Sequence, residues 1–395
     1  MIIRFDGIPL CTEQLTGIGV HEKELTRSMV ELYPDSSFEY TYLVPSFEGL
    51  GNIGRKKRLM EQYTGANSKT KLFPLITARM YKLIHGIIPI PYSLLFPGKP
   101  DITHFFNFLI SPGVRGKKVV TVHDLAFVRY PETVAYRTRK ALEMRLSKTI
   151  KKADHIFVAS DFTGKELAEL YGVDEDKMTT VYAGVDRDKF KPMEYAECKD
   201  VLDAKGLCDR GYFFYLGTIE PRKNIERTVI AYAEMKKRLE SEGRQAPPFV
   251  FGGKLGWYYD SIFETVKRLG IEDNIIVAGY LTDYEKACLY ARARAFVFPS
   301  LYEGFGIPVL EAMASKTPVL TANVSSLPEV TGDKAVLCDP LDIEDIANGL
   351  YKLATDDALC LRLGTEGYER SLGFSWDVTA KKMYGVYEKI VGAGK

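Results

Sequence analysis

Two glutamates that frame a glycine-rich loop give the strongest chemical signal in the sequence. Glu303 lies in the loop that follows an apolar run at 296–298, and we expect Glu311 in the first turn of a helix that Pro308 opens. Proline is tolerated at a first helical position because its missing N–H would have no partner there. Free backbone N–H groups and the positive end of the helix dipole would attract an anion such as pyrophosphate. The two carboxylates suit sugar and ribose hydroxyls, so the pattern predicts a nucleotide-sugar site.

A second turn between an apolar strand and a helix, at 217–224, adds positive charge. Gly217 would let a ligand approach the backbone, because it has no side chain. Arg222 can bind a diphosphate by two parallel hydrogen bonds, and Lys223 can bind it as a point charge. An isolated Arg-Lys pair favours a solvated basic turn, so these residues alone do not establish a phosphate site.

Two further segments lie at predicted strand ends in the first half of the chain. Gly17 and Gly19 follow the first strand, where glycines let a backbone approach phosphate. Glu22 stands where the third glycine of a dinucleotide-binding pattern would be, and no Walker A sequence is present, which argues against dehydrogenases and NTPases. His123 and Asp124 end another strand, and Asp124 could orient the histidine or cap the following turn.

Length and composition indicate a globular protein of two domains. The chain has 395 residues, of which 46% are hydrophobic and 27% charged, with a formal net charge of +1. Its six cysteines are scattered without a Cys-x-x-Cys pattern, which favours reduced thiols in a cytoplasmic protein. The N-terminus lacks the layout of a signal peptide. Charges and prolines interrupt the apolar stretch at 72–96, so we do not expect it to span a membrane.

Charge is unevenly distributed along the chain. Residues 51–152 contain 20 Lys and Arg against 5 Asp and Glu, a local charge of +15, which leaves −14 on the remainder. This excess could dock the protein on anionic lipid, or it could belong to an ordinary solvated helix and loop. No nucleic-acid-binding module is recognisable. Fifteen of these basic residues lie in two clusters: Arg55, Lys56, Lys57, Arg58, Lys69, Lys71, Arg79 and Lys82, and then Arg137, Arg139, Lys140, Arg145, Lys148, Lys151 and Lys152.

Strands alternate with helices in two successive series, which predicts two doubly wound α/β domains. We place the first domain at 1–190 and the second at 191–375. Ligands bind such sheets at the carboxyl ends of the strands, so a site is expected in a cleft where the two domains face each other. The predicted strands are 2–5, 38–44, 102–106, 118–122, 155–159, 179–182, 212–217, 248–251, 275–278, 296–298, 319–321 and 335–338.

The segment from Tyr302 to Ala312 closely resembles the glutamate–seven residues–glutamate signature of the retaining family-four glycosyltransferases. The turn at 217–224 resembles the phosphate-binding turn of that family, except that Thr218 replaces an arginine whose role Arg222 would take over. The segment after His123 is similar to bacterial O-antigen and capsule mannosyltransferases. The resemblance extends from Thr16 to about Trp376, although no family segment matches 50–100. It implies the GT-B fold: an α/β protein with two Rossmann-like domains facing across a cleft, and a C-terminal helix at 376–395 that packs back on the first domain.

The resemblance also implies roles for individual residues. His123 would contact the donor sugar near the reacting centre, Glu303 would hold sugar hydroxyls, and Glu311 would bind ribose. The catalytic residues implied are His123, Glu303, Arg222 and Lys223. The donor-binding residues implied are Gly17, Gly19, Gly217, Tyr280, Leu281, Gly304, Phe305, Gly306, Ile307 and Glu311.

The expected reaction moves a hexose, best guessed as mannose from GDP-mannose, to a hydroxyl of a glycan or lipid-linked acceptor. A UDP-sugar donor, a sugar-nucleotide epimerase of the same architecture and a non-catalytic nucleotide-sugar binder are the alternatives. No cofactor or metal is expected, and we interpret the Asp-x-Asp strings at 174–176 and 186–188 as structural. We expect a cytoplasmic enzyme that contacts the inner face of the cell membrane if the basic region binds lipid.

Overall fold

The chain forms two compact units in the computed structural model. The first comprises 1–128, 135–184 and 375–395, and the second comprises 129–134 and 185–374. The structure describes residues 1–11, 15–44, 61, 64, 68–77, 80–81, 90–254, 256 and 260–393. The basic residues Arg55, Lys56, Lys57, Arg58, Arg79 and Lys82 lie outside these ranges.

A parallel sheet forms the centre of the first unit, with the strand order β3-β2-β1-β4-β5-β6-β7 in its described part. Most of its strands are short, apolar and buried, as expected when helices cover both faces of a parallel sheet. The strands are β1 (Ile2–Asp6), β2 (Ser37–Val44), β3 (Ser68–Thr77), β4 (Ile102–Phe105), β5 (Lys117–Val122), β6 (His155–Val158) and β7 (Met178–Thr180). The helices are α1 (Gly17–Leu32), α2 (Tyr92–Leu95), α3 (Ala126–Arg129), α4 (Tyr136–Lys152) and α5 (Asp161–Tyr171).

Strand β3 was not predicted, because its sequence lacks the continuous apolar run of its neighbours. It pairs with β2 at one edge of the sheet, where Lys71 forms an ion pair with Glu39 at 2.7 Å. Glu39 also binds the buried guanidinium of Arg4, again at 2.7 Å. An edge strand with lysines is typical of sheets that must avoid pairing with other chains.

A second parallel sheet, of order β10-β9-β8-β11-β12-β13, forms the centre of the second unit. Its strands are β8 (Phe213–Leu216), β9 (Phe249–Gly252), β10 (Ile275–Gly279), β11 (Ala295–Phe298), β12 (Val319–Ala322) and β13 (Val336–Cys338). Its helices are α6 (Tyr195–Asp203), α7 (Ile225–Ser241), α8 (Asp260–Leu269), α9 (Asp283–Ala291), α10 (Ile307–Ala314), α11 (Leu327–Thr331), α12 (Ile343–Thr355) and α13 (Asp357–Ser371).

The last helix, α14 (Trp376–Gly392), belongs to the first unit although it follows the second unit in sequence. It packs on α1, where the rings of Tyr33 and Tyr384 stack with their centroids 3.5 Å apart. Asp377 accepts a hydrogen bond from Ser28 of the same helix α1. Across the described ranges, no helix has the length and apolarity that a membrane span requires. The six cysteines are all free thiols.

Candidate active site

The glycine-rich loop of the second unit lies between strand β11 and helix α10. Gly306 caps this helix with a φ of 105°, a backbone conformation that side chains disfavour. A Cβ atom there would also lie 2.9 Å from Leu327. Because α10 begins at Ile307, Pro308 is its second residue and Glu311 its fifth. The prediction that Glu311 lies in the first turn was therefore wrong, since the left-handed glycine starts the helix one residue before the proline.

Two serines after strand β12 fix the backbone of the loop at Glu303. The Glu303 N–H donates to the Ser325 hydroxyl at 3.0 Å, and the Ser326 hydroxyl donates to the Glu303 carbonyl at 2.9 Å. Because both main-chain groups of Glu303 are bonded, its side chain leaves the loop in a defined direction. No pattern in the sequence indicates this contact.

The Glu303 carboxylate lies between two cations. Its Oε1 atom is 2.5 Å from the Lys223 Nζ atom, and its Oε2 atom is 3.0 Å from an Arg222 guanidinium nitrogen. Arg222 also donates to the Tyr302 carbonyl at 2.7 Å and to Glu220 at 2.8 Å. The structure thus joins three of the four residues predicted to be catalytic in one ion-pair cluster, which we define as Glu220, Arg222, Lys223 and Glu303.

Burial sets the electrostatics of this cluster. Burial raises the pKa of Glu303, but the adjacent Arg222 and Lys223 outweigh it and lower the pKa to about 2. Burial and the neighbouring Arg222 lower the pKa of Lys223, against the opposing effect of Glu303. Arg222 and Lys223 are desolvated and paired with an ionised carboxylate. An incoming anion can replace that carboxylate as their partner only if it also carries strong negative charge.

The turn at 217–224 is tied to the loop by its own backbone and by Asn224. This residue has a φ of 59°, and its side-chain amide donates to the carbonyls of Pro299 and Pro340 at 3.1 and 2.6 Å. The Leu301 N–H donates to the Arg222 carbonyl at 2.9 Å. These bonds explain why cations 80 positions earlier in the sequence meet Glu303.

Gly217 has a packing reason to lack a side chain. A Cβ atom at this position would lie 2.8 Å from the hydroxyl of Tyr215. At Gly253, whose φ is 123°, a Cβ atom would lie only 2.1 Å from the carbonyl oxygen of Gly217. The turn at 217–224 and the chain at Gly253, directly after β9, therefore pack backbone against backbone.

Glu311 has a different environment from Glu303. Its Oε2 atom accepts a hydrogen bond from the Tyr290 hydroxyl at 3.0 Å. Burial raises the pKa of Glu311 to about 7, against the opposing effect of Tyr290. Near neutral pH the carboxyl is therefore present in both its protonated and its ionised form. It can donate a hydrogen bond to a bound hydroxyl in the first form and accept one in the second.

Tyr280 and Leu281, predicted to bind the donor, follow strand β10. Thr282 caps helix α9 and accepts a hydrogen bond from the Glu285 N–H. Leu281 is buried, whereas 57% of the Tyr280 surface is exposed. The side chain of Leu281 is therefore occupied in the core, and only its backbone is free to meet a ligand.

In the first unit, His123 follows strand β5 and is buried. Its Nε2 atom lies 2.7 Å from the Phe106 carbonyl oxygen, and since a carbonyl can only accept, Nε2 carries the proton. Burial lowers the pKa of His123, so its ring is neutral and presents Nδ1 as a hydrogen-bond acceptor. Asp124 accepts from the Ala126 N–H at 3.0 Å, which shows that it caps the following turn.

The predicted glycine loop begins helix α1, with Thr16 as N-cap. Gly17 has open space around it, whereas a Cβ atom on Gly19 would lie 2.9 Å from the Pro9 carbonyl oxygen. Sequence reasoning missed His21, whose ring lies edge-on to that of His123 at a centroid distance of 5.1 Å. Within the described ranges, neither nitrogen of this buried ring has a hydrogen-bond partner. Its position two residues after Gly19 was the available signal.

No metal-binding arrangement is evident in the described part of the chain, where no group of three or more His, Cys, Asp or Glu side chains converges. Asp186 accepts from the Asp188 N–H at 3.1 Å and forms an ion pair with Lys189 at 3.3 Å. These contacts complete a turn. Asp174 is the N-cap of a short 3-10 helix at Glu175–Lys177, and Asp176 lies within that helix.

Sequence comparison identifies the family. Residues 17–189 match the family described as Glycosyltransferase Family 4, and residues 205–370 match Glycosyl transferases group 1. The chain is 34% identical over 290 residues to O-antigen chain mannosyltransferase B of Escherichia coli, a match that covers 73% of this chain and 74% of that protein. The chain belongs to the retaining family-four glycosyltransferases. Its sequence-based assignment to this family is confirmed.

Another relative of this glycosyltransferase is the serotype-specific mannosyltransferase WbdA of E. coli, with 30% identity over 314 residues. That match covers 75% of this chain but only 38% of WbdA.

Solved structures show that the glycosyltransferase has the GT-B fold, as the sequence predicted. It resembles HepE from Anabaena in complex with UDP and glucose, with a TM-score of 0.73, 15% identity and coverage of 98% of this chain and 100% of that one. It also resembles sucrose-phosphate synthase from Thermosynechococcus elongatus, with a TM-score of 0.74, 18% identity and 99% coverage of both chains.

Replacing Glu311 should remove a pH-dependent loss of stability from this glycosyltransferase. The carboxyl ionises near pH 4.5 when unfolded and near pH 7 when folded, so ionisation favours the unfolded chain as the pH rises from 4.5 to 7. The full effect, present above pH 7, is roughly 3 kcal/mol. Urea unfolding should show a smaller fall in the free energy of unfolding from about pH 5 to about pH 8 for Glu311→Gln than for the wild type.

The matched control is Glu264→Gln, which alters an exposed glutamate of the same unit. It should keep the wild-type difference in unfolding free energy between the two pH values. An equal difference in Glu311→Gln would contradict the raised pKa of Glu311.

Proposed function

We propose that this glycosyltransferase moves mannose from GDP-mannose to a hydroxyl of a glycan or lipid-linked acceptor in cell-surface polysaccharide synthesis. The observation that carries the proposal is the ion-pair cluster beside the N-terminus of α10, because it concentrates cations where a sugar diphosphate would lie. The choice of mannose is supported by the relatives named O-antigen chain mannosyltransferase B and WbdA. A UDP-sugar is the second candidate donor, because the HepE complexes contain UDP.

Arg222 and Lys223 would stabilise the negative charge that develops on the departing diphosphate. The backbone amides of residues 304–307 would add hydrogen-bond donors, and such preorganised groups usually make the largest contribution to catalysis. Both cations are paired with Glu303, so donor binding would transfer them from the carboxylate to phosphate oxygens. The released carboxylate would then accept hydrogen bonds from hydroxyls of the donor sugar.

The first unit would hold the acceptor and supply His123. Since Nε2 of this histidine is bound to the Phe106 carbonyl, Nδ1 would accept a hydrogen bond from a sugar hydroxyl. For retention, attack would occur on the face of the sugar that the phosphate leaves, and a phosphate oxygen would take the acceptor proton. This route needs no carboxylate nucleophile. It also needs no metal, because the two cations and the amides balance the charge of the leaving group.

Donor identity can be decided by thermal unfolding and a transfer assay. GDP should raise the Tm of the wild-type chain by about 3 °C or more at saturation, whereas UDP should have little effect. GDP-mannose should support transfer to a lipid-linked oligosaccharide, and excess EDTA should leave the rate unchanged. Stabilisation by UDP alone would contradict the GDP-mannose proposal, and loss of activity in EDTA would contradict the metal-free mechanism.

Glu303→Gln should separate donor binding from transfer. We expect kcat to fall roughly 100-fold or more, because the amide cannot hold the sugar hydroxyls as the carboxylate does. GDP should bind at least as tightly as to the wild type, because Arg222 and Lys223 no longer have to leave an anionic partner. Calorimetric titration with GDP and steady-state kinetics measure the two effects, with Glu264→Gln as control. Near-normal kcat, or weaker GDP binding with normal folding, would contradict these roles.

We further propose that helix α4 docks the enzyme on anionic lipid. The buried face of this helix carries Leu142, Leu146 and Ile150, which pack on the first unit. Its other side exposes Lys151 and Lys152 together with apolar side chains, of which Tyr136 and Met144 are 66% and 71% exposed. Exposed cations beside exposed apolar groups favour an anionic membrane surface, where a lipid-linked acceptor would be present.

The docking proposal predicts a charge-dependent association with vesicles. Lys151→Glu/Lys152→Glu should bind vesicles containing phosphatidylglycerol about tenfold or more weakly than the wild type at low salt. The matched control is Lys381→Glu/Lys382→Glu, which reverses two adjacent exposed lysines on α14. Sedimentation measures the bound fraction. Equal losses in both variants, or wild-type binding that salt does not weaken, would contradict docking through α4.

A further inference from the structure

A short segment of the chain lies with the second unit although the sequence on either side belongs to the first. Residues 129–134 are grouped with 185–374, whereas 1–128 and 135–184 belong to the first unit. This segment follows His123 by six residues. A segment that leaves one unit for only six residues must make specific contacts to hold it there.

One contact of this segment is aromatic. The ring of Tyr130 packs on the ring of Tyr302 with centroids 5.9 Å apart and planes inclined by 53°. Tyr302 is only 2% exposed, and it immediately precedes Glu303. Its carbonyl oxygen accepts the 2.7 Å hydrogen bond from Arg222. Tyr130 therefore contacts Tyr302, whose backbone is bonded to Arg222 and leads directly into Glu303.

Local hydrogen bonds also order the chain between His123 and Tyr130. Asp124 caps the turn at Ala126, and the Val128 N–H donates to the Leu125 carbonyl at 2.9 Å. After Tyr130, the N–H and hydroxyl of Thr133 both donate to the Tyr130 carbonyl, at 3.0 and 2.7 Å. A residue held by bonded turns on both sides can position its ring with little loss of conformational entropy.

We propose that Tyr130 is a positioning residue for donor chemistry: its ring fixes the Tyr302–Glu303 backbone, and thereby the direction of the Glu303 carboxylate and of Arg222. The inference rests on the proposed function of that cluster. It assigns Tyr130 no contact with substrate. Because the ring makes the contact, its hydroxyl is dispensable, and phenylalanine satisfies the same role.

Kinetics of Tyr130 variants test this assignment. Tyr130→Ala should lower kcat about tenfold while the KM for the donor changes less than threefold, because misplacing a catalytic group affects the transition state more than binding. Tyr130→Phe should remain within twofold of the wild type in both constants. Tyr195→Ala is the matched control, since this tyrosine of the second unit is exposed. If Tyr130→Ala does not fold, Tyr130→Leu, which keeps bulk without the ring, provides the same comparison.

A double-mutant cycle distinguishes positioning from general destabilisation. Tyr302→Ala and Tyr130→Ala should each lower kcat, and the double variant should lose little more than the worse single variant. Independent, multiplying losses would overturn the assignment, as would a Tyr130→Ala enzyme as active as Tyr195→Ala. If the wild type transfers sugar from neither GDP-mannose nor UDP-glucose, the proposed function itself fails, which is a separate result from an active wild type with an unaffected variant.

Discussion

A carboxylate held between two cations in a largely buried position is the interaction on which the second unit depends. Glu303, Arg222 and Lys223 each have a desolvation cost that their ion pairs offset, so removing one leaves uncompensated charge. The serines at 325–326 and the amide of Asn224 hold the backbones that carry these charges. The same arrangement keeps the charges of both cations compensated within the fold.

The two glutamates of the family signature differ in charge state for a physical reason. Glu303 has cations within hydrogen-bonding distance, so its pKa falls to about 2 despite burial. Glu311 has a tyrosine hydroxyl instead, so burial dominates and its pKa rises to about 7. Identical side chains eight positions apart therefore offer a permanent anion and a group that can also donate a hydrogen bond near neutral pH.

Local sequence signals predicted the elements well wherever they were strong. The strands predicted at 2–5 and 296–298 match β1 and β11 to within one residue at each end. The helix Asp161–Tyr171 likewise has local signals, with Ser160 as a side-chain cap and Gly172 at its left-handed end. Strand β3 was missed because its pairing with β2 is a tertiary event that its lysines do not signal. The partner of Lys223 was likewise invisible, because 80 positions separate the two residues. His21 and Tyr130 were missed for the same reason: their relevance arises from rings that the fold brings beside them.

The position of α14 has a consequence for how the chain is made. Residues 375–395 belong to the first unit, yet they are translated after the whole of 185–374. Ser28 of α1 and Tyr33, which directly follows α1, can therefore contact Asp377 and Tyr384 only after the second unit has been synthesised. Since domains generally fold as they leave the ribosome, the second unit can complete its core first. The first unit, although most of it is synthesised earlier, completes its packing only when α14 is available.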